Sequence, residues 1–86
     1  MPALTVTENG GRVRLALAGL AQGEGSSLQD AADDLVRSIL RLVTAFRASG
    51  FRGSREFHPD FETMNFLYEL GEIAAAGGDI RARVFA

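Results

Sequence analysis

Any chemistry in this chain has to begin with histidine, carboxylate and hydroxyl side chains, because it has one histidine and no cysteine. His58, Asp60 and Glu62 form a His-x-Asp-x-Glu string that offers one imidazole and two carboxylates to a hard or borderline metal ion. A zinc or catalytic metal centre needs several imidazoles or thiolates converging on one point, with a coordination position left open. This string falls short of that, so no metal site is assigned. It reads better as the start of a helix, with His58 as the cap and the two acids complementing the helix dipole. Nucleophilic catalysis needs a base within reach of an activated hydroxyl. Ser26, Ser27, Ser49 and Ser54 all lie in turn or cap contexts, and a single histidine would have to serve them. Eleven acidic residues include pairs that could share acid–base work, yet most sit on helix faces where solvation is expected. The glycines at 10–11, 23, 25 and 77–78 read as turns. "GEGSS" lacks the spacing and the lysine of a phosphate loop, and "GGDIRA" leads into an expected strand rather than a helix. The chain is therefore expected to be no enzyme, with no catalytic residue, metal or cofactor.

Charge patterning is the next source of function. "GRVRLALAGL" at 11–20 and "GGDIRARVFA" at 77–86 both alternate, and each places two arginines on one side of an expected strand. With the helices on the other face of the sheet, Arg12, Arg14, Arg81 and Arg83 would lie beside Ala16, Ala18, Leu20 and Phe85. Sheet-borne RNA recognition adds two or three stacking aromatics to such basic groups, and Phe85 is the one available. Arginine with an aromatic and small apolar residues also makes up protein interfaces. Nine arginines against eleven acids leave a net charge of −2, so no global field draws in polyanions. Arg12, Arg14, Leu20, Arg81, Arg83 and Phe85 are thus expected to mediate self-association or meet a protein partner, with a plain solvated face and nucleic acid as the alternatives.

These residues must be positioned by a small fold. Eighty-six residues make one domain, and a chain this short buries only about 60–65% of its unfolded surface, enough for one sheet packed on one or two helices. No apolar run approaches the roughly 18–20 residues needed to cross a bilayer, and "MPALTVTENG" lacks the features of a signal peptide, so a cytoplasmic protein is expected. "LTVT" at 4–7 and a strand at about 12–20 read as a hairpin turned by Asn9-Gly10. "AQGEGSS" at 21–27 has room for one or two residues of a third strand.

A Ser27-x-x-Asp30 cap then opens a helix of about twenty residues, in which Leu28, Ala31, Ala32, Leu35, Val36, Ile39, Leu40, Val43 and Phe46 form one apolar stripe. Gly50 is expected to end it as a left-handed cap. Residues 51–58 read as a short strand by the alternation of Phe51 and Phe57, with a loop or bulge at Gly53-Ser54 as the alternative. Pro59 suits the first position of a second helix, whose apolar residues Phe61, Met64, Leu67, Leu70, Ile73 and Ala74 are helically spaced before Gly77-Gly78. A last strand would turn Ile80, Ala82 and Val84 inward and Arg81, Arg83 and Phe85 outward. The expected class is α+β, ordered ββ-α-(β)-α-β, with an antiparallel sheet of three to four strands and two helices packed on one face.

Residues 4–46 resemble the N-terminal domain of the HicB-like antitoxin superfamily. In that family a β-hairpin or meander precedes a helix start of the form Gly-x-Thr/Ser-Leu-x-Glu/Asp-Ala, which reads here as Gly25, Ser27, Leu28, Asp30 and Ala31. The family's Pro-Asp-Leu-Pro-Gly turn is replaced by "LAGLAQ", and no ribbon-helix-helix or helix-turn-helix module follows. The resemblance implies an antiparallel sheet with helices on one face, a homodimer, and recognition of a toxin-like or other protein partner rather than catalysis.

Overall fold

The structure is a computed structural model and describes residues 3–50 and 60–85. Along the chain run β1 (Leu4–Asn9), β2 (Arg12–Leu17), β3 (Ala21–Gly25), α1 (Leu28–Ala48), α2 (Phe61–Ala75) and α3 (Arg81–Val84). They fall into two compact units, Pro2–Leu42 and Val43–Ala86, and α1 contributes residues to each.

The first unit is an antiparallel sheet in the order β1-β2-β3, with the first part of α1 against one face. Asn9 pairs with Arg12, so the loop of the first hairpin is Gly10-Gly11, one residue later than Asn9-Gly10. Both glycines have positive φ (59° and 79°), as the tightest hairpin loops require. In the second turn the Leu20 amide donates to the Leu17 carbonyl at 2.9 Å, and Gly19 at φ 75° occupies the position where a type II turn needs glycine.

The third strand is fuller than expected, and its glycines explain why. Gly23 pairs with Leu15 and faces α1 so closely that a Cβ there would collide with Leu35 N and Ala31 O and lie 2.7 Å from Leu35 Cα. At Gly25 the same atom would fall 2.5 Å from Asp30 Cβ. Glycines 23 and 25 are therefore packing residues rather than turn residues. Their missing side chains let the helix settle on the strand, while Leu15 and Leu17 on that face are buried together with Ala31, Leu35, Val36 and Ile39 of α1.

Local chemistry defines the limits of α1. The Asp30 amide donates to Ser27 Oγ at 3.1 Å, as the capping pattern predicts, while the Asp30 carboxylate accepts from Ser26 Oγ at 3.0 Å. At the other end Gly50 has φ 75° and its amide donates to the Arg47 carbonyl at 3.0 Å.

The second unit holds the end of α1 with α2 and α3. The cap of α2 is Asp60, whose Oδ1 accepts the Thr63 amide at 2.8 Å, and the helix begins at Phe61. The cap expected from His58 thus belongs to Asp60. His58, Pro59 and the strand expected over 51–58 lie outside the described residues. Phe66, Leu67, Leu70 and Gly71 are buried, and Gly71 lets Val43 and Arg47 approach to within 3.4 Å of where its Cβ would be. Arg47 Nη1 donates to the Gly71 carbonyl at 3.0 Å. The end of α2 is a Schellman motif, with the Gly78 amide on the Ile73 carbonyl (2.8 Å) and the Gly77 amide on the Ala74 carbonyl (3.0 Å).

The chain's last element corrects the expected strand: residues 81–84 are helical. Ile80 and Val84 are buried, but Ala82 between them is exposed. Two apolar residues four apart fit one helix face as well as one strand face, and exposure of the residue midway decides for the helix. The α+β class and the antiparallel sheet stand as expected; among the described residues the order is βββααα, with a third strand before α1 and a helix in place of the last strand of ββ-α-(β)-α-β. Among the described residues, no helix is long and apolar enough to cross a membrane.

Candidate functional site

The sheet face turned away from α1 carries Thr5, Thr7, Asn9, Arg12, Arg14, Ala16, Gln22 and Glu24, as the strand register dictates. Two of the six expected interface residues, Arg12 and Arg14, meet here. Between them stands Glu24, directly opposite Arg14 on β3. Arg14 Nε donates to Glu24 Oε1 at 2.7 Å, and Arg12 Nη2 to Glu24 Oε2 at 3.4 Å. The hydrogen bond and charge of Arg14, supported by Arg12, hold the Glu24 carboxyl below the usual glutamate range. Two guanidinium groups thus share one carboxylate, which offsets half of the positive charge that Arg12 and Arg14 bring to this face.

The other four expected interface residues lie elsewhere. Leu20 sits in the turn between β2 and β3. Arg81, Arg83 and Phe85 belong to α3 and its C-terminal end, in the other compact unit. Arg83 Nε donates to Glu69 Oε2 of α2 at 2.7 Å, and its guanidinium lies 5.0 Å from the centre of the Phe66 ring. Arg81 and the Asp79 carboxylate lie 3.4 Å apart. The strand that was to carry Arg81 and Arg83 is a helix, so this pair does not belong to the sheet that bears Arg12 and Arg14. With Phe85 on α3, the face bearing Arg12 and Arg14 has no aromatic residue among those described, so the stacking half of a nucleic-acid surface is missing there.

What the structure adds is the margin of the sheet. All six residues of β1 are exposed, and among the described residues β1 has a neighbour on one side only. The Ala18 amide donates to the Ala3 carbonyl at 2.9 Å, which fixes the phase of the β1–β2 ladder. Ala3, Thr5, Thr7 and Asn9 turn their main-chain groups toward β2, so Leu4, Val6 and Glu8 turn theirs outward. Leu4 and Val6 are 39% and 61% exposed, although they lie on the same sheet face as the buried Leu15 and Leu17. α1 is seated over β3, and on the β1 side of that face Val6 and part of Leu4 stay exposed. The opposite margin differs. There the outward amide of Glu24 donates to Asp34 Oδ2 of α1 at 3.0 Å.

Leu4, Val6, Glu24 and Asp34 are candidate-site residues that the sequence pattern does not single out. Glu24 had a signal, since a strand continued through 21–25 places it opposite Arg14. Leu4 and Val6 did not, because alternation marks them as core whether or not a helix covers them.

On α2, Glu62, Glu69 and Glu72 line a shallow groove with Asn65, Phe66, Tyr68 and Arg83. Glu69 is engaged by Arg83, and among the described residues the groove brings no imidazole to these acids. Among the described residues, no group of three or more metal-ligating side chains is arranged to hold an ion. Fold and surface together define a small α+β domain with an open sheet edge. Compared with protein-family models, curated proteins and solved structures, the chain matches none.

Proposed function

We propose that this chain is a non-catalytic, antitoxin-like protein–protein interaction module that self-associates and binds a partner protein through its sheet, above all at the β1 margin. The carrying observation is that margin: six exposed residues, outward main-chain groups at Leu4, Val6 and Glu8, and two apolar side chains left uncovered. A free strand edge supplies affinity through main-chain hydrogen bonds, and neighbouring side chains supply selectivity. The HicB-like helix start supports a protein as the partner, with Gly25 and Ala31 at the tight strand-to-helix junction. The bridging carboxylate of Glu24, and strands β1–β3 that carry no aromatic residue beside Arg12 and Arg14, weigh against nucleic acid.

The test is a calorimetric titration with the purified product of the adjacent gene, run on the unchanged chain and on Val6→Lys, beside retention on an anionic polymer at several salt concentrations. The proposal expects saturable binding that Val6→Lys weakens. Salt-dependent retention that disappears on replacing Arg12 and Arg14, with no protein bound, would overturn it.

A further inference from the structure

The geometry points to a second copy of the same chain as the occupant of the β1 margin, in one particular register. This rests on the interaction-module reading above and specifies it. The outward-facing residues are Leu4, Val6 and Glu8, centred on Val6, and the side chains around that centre read Thr5-Val6-Thr7, the same in both directions. An antiparallel copy related by a two-fold axis at Val6 therefore sets Val6 against Val6, Leu4 against Glu8 and Thr5 against Thr7. Each outward residue then meets an outward residue, and each such pair exchanges two main-chain hydrogen bonds. Sliding by two residues in either direction leaves one of the three without a strand partner.

Side chains agree with that register. The two valines, each 61% exposed in the single chain, cover one another on the helix-bearing face, with Leu4 on either side. Threonine meets threonine on the other face, a favourable cross-strand pair. Glu8 is the only charge on the strand, and in this register the two copies of it stand four residues apart, about 14 Å at the rise of an extended strand. That exceeds the screening length of about 8 Å at physiological ionic strength. Of the usual defences against pairing the edge carries one, the charge of Glu8 on the helix-bearing face; Leu4–Asn9 contains no proline, no lysine and no bulge.

The absence of cysteine makes the register directly testable. Directly opposed residues of a hydrogen-bonded pair lie about 5.5 Å apart at Cα, within disulfide reach, whereas diagonal neighbours at about 7–8 Å are beyond it. Val6→Cys is expected to give a covalent dimer on mild oxidation. Thr5→Cys alone and Thr7→Cys alone are expected to stay uncrosslinked, and a mixture of those two to crosslink. Val6→Pro removes one outward amide and no β1–β2 hydrogen bond. It should keep the circular dichroism of the unchanged chain and run as a monomer by light scattering where the unchanged chain runs as a dimer. A dimer that ignores Val6→Pro, or a different crosslinking pattern, would overturn this register and leave self-association standing. A monomer at every concentration, with no crosslink, would overturn both the register and self-association, and partner binding would then rest on the titration alone.

Discussion

Replacing Gly23 by alanine tests the packing on which the first unit depends. The added methyl would meet main-chain atoms of α1, with Leu35 Cα 2.7 Å away and Leu35 N and Ala31 O closer still. Carbon atoms rest at about 3.5–4.0 Å, so the helix must withdraw by at least about 0.8 Å, and neither backbone has a flexible end to yield. Overpacking of this kind costs about 1–3 kcal/mol. Withdrawal also stretches the 3.0 Å bond from the Glu24 amide to Asp34, and a hydrogen bond to a charged group is worth about 1.5–3 kcal/mol. Alanine restricts the unfolded chain and returns about 0.4–1 kcal/mol. The net expectation is a loss of about 2–4 kcal/mol from a total of about 4–13 for a chain of this length. Urea unfolding followed by far-ultraviolet circular dichroism measures it. With a slope near 1 kcal/mol per molar, the midpoint should fall by about 2–4 M. Gln22→Ala, on the opposite face, serves as the control and should stay within about 0.5 kcal/mol. A Gly23→Ala chain as stable as that control would refute the close strand–helix contact.

Three further outcomes follow from the same coordinates. Leu35→Ala, at a fully buried site, should cost about 2–5 kcal/mol in the same urea experiment through the cavity it leaves. Arg83→Ala removes the bond to Glu69 and the contact with Phe66 and should cost about 0.5–1.5 kcal/mol, while the Arg81→Ala, Arg83→Ala double variant leaves the solution mass unchanged. Glu24 has a lowered folded-state pKa, so its contribution to stability is complete above the ordinary glutamate range and is lost as pH falls through the lowered value; Glu24→Gln should flatten that part of the stability–pH curve.

Where local chemistry and periodicity agreed, the fold was legible in the sequence. Ser27, the apolar stripe from Ala31 to Phe46, and Gly50 outlined α1, and Gly77-Gly78 marked the end of α2. Elsewhere the cue fitted two structures. Ile80 and Val84 satisfy a strand and a helical turn alike, and reading them as a strand moved Arg81, Arg83 and Phe85 onto a sheet they do not join. Gly23 and Gly25 carry a signal that means turn locally and close packing globally, and the difference depends on a helix backbone that no pattern within 21–27 contains. For the candidate site, Arg12 and Arg14 were legible as a face. Their sharing of Glu24, and the uncovered Leu4 and Val6, depend on where α1 sits across the sheet, which is a tertiary outcome.

The hydrogen bond from Glu24 to Asp34 has a consequence for assembly size. A sheet with two available margins can add molecules at both ends and grow into a fibre. Here the outward amide of Glu24 on β3 is already satisfied from within the molecule, so that margin offers a newcomer one donor fewer than its strand carries. Under the pairing proposed above, the carboxylate of Asp34 therefore works against growth through the β3 margin.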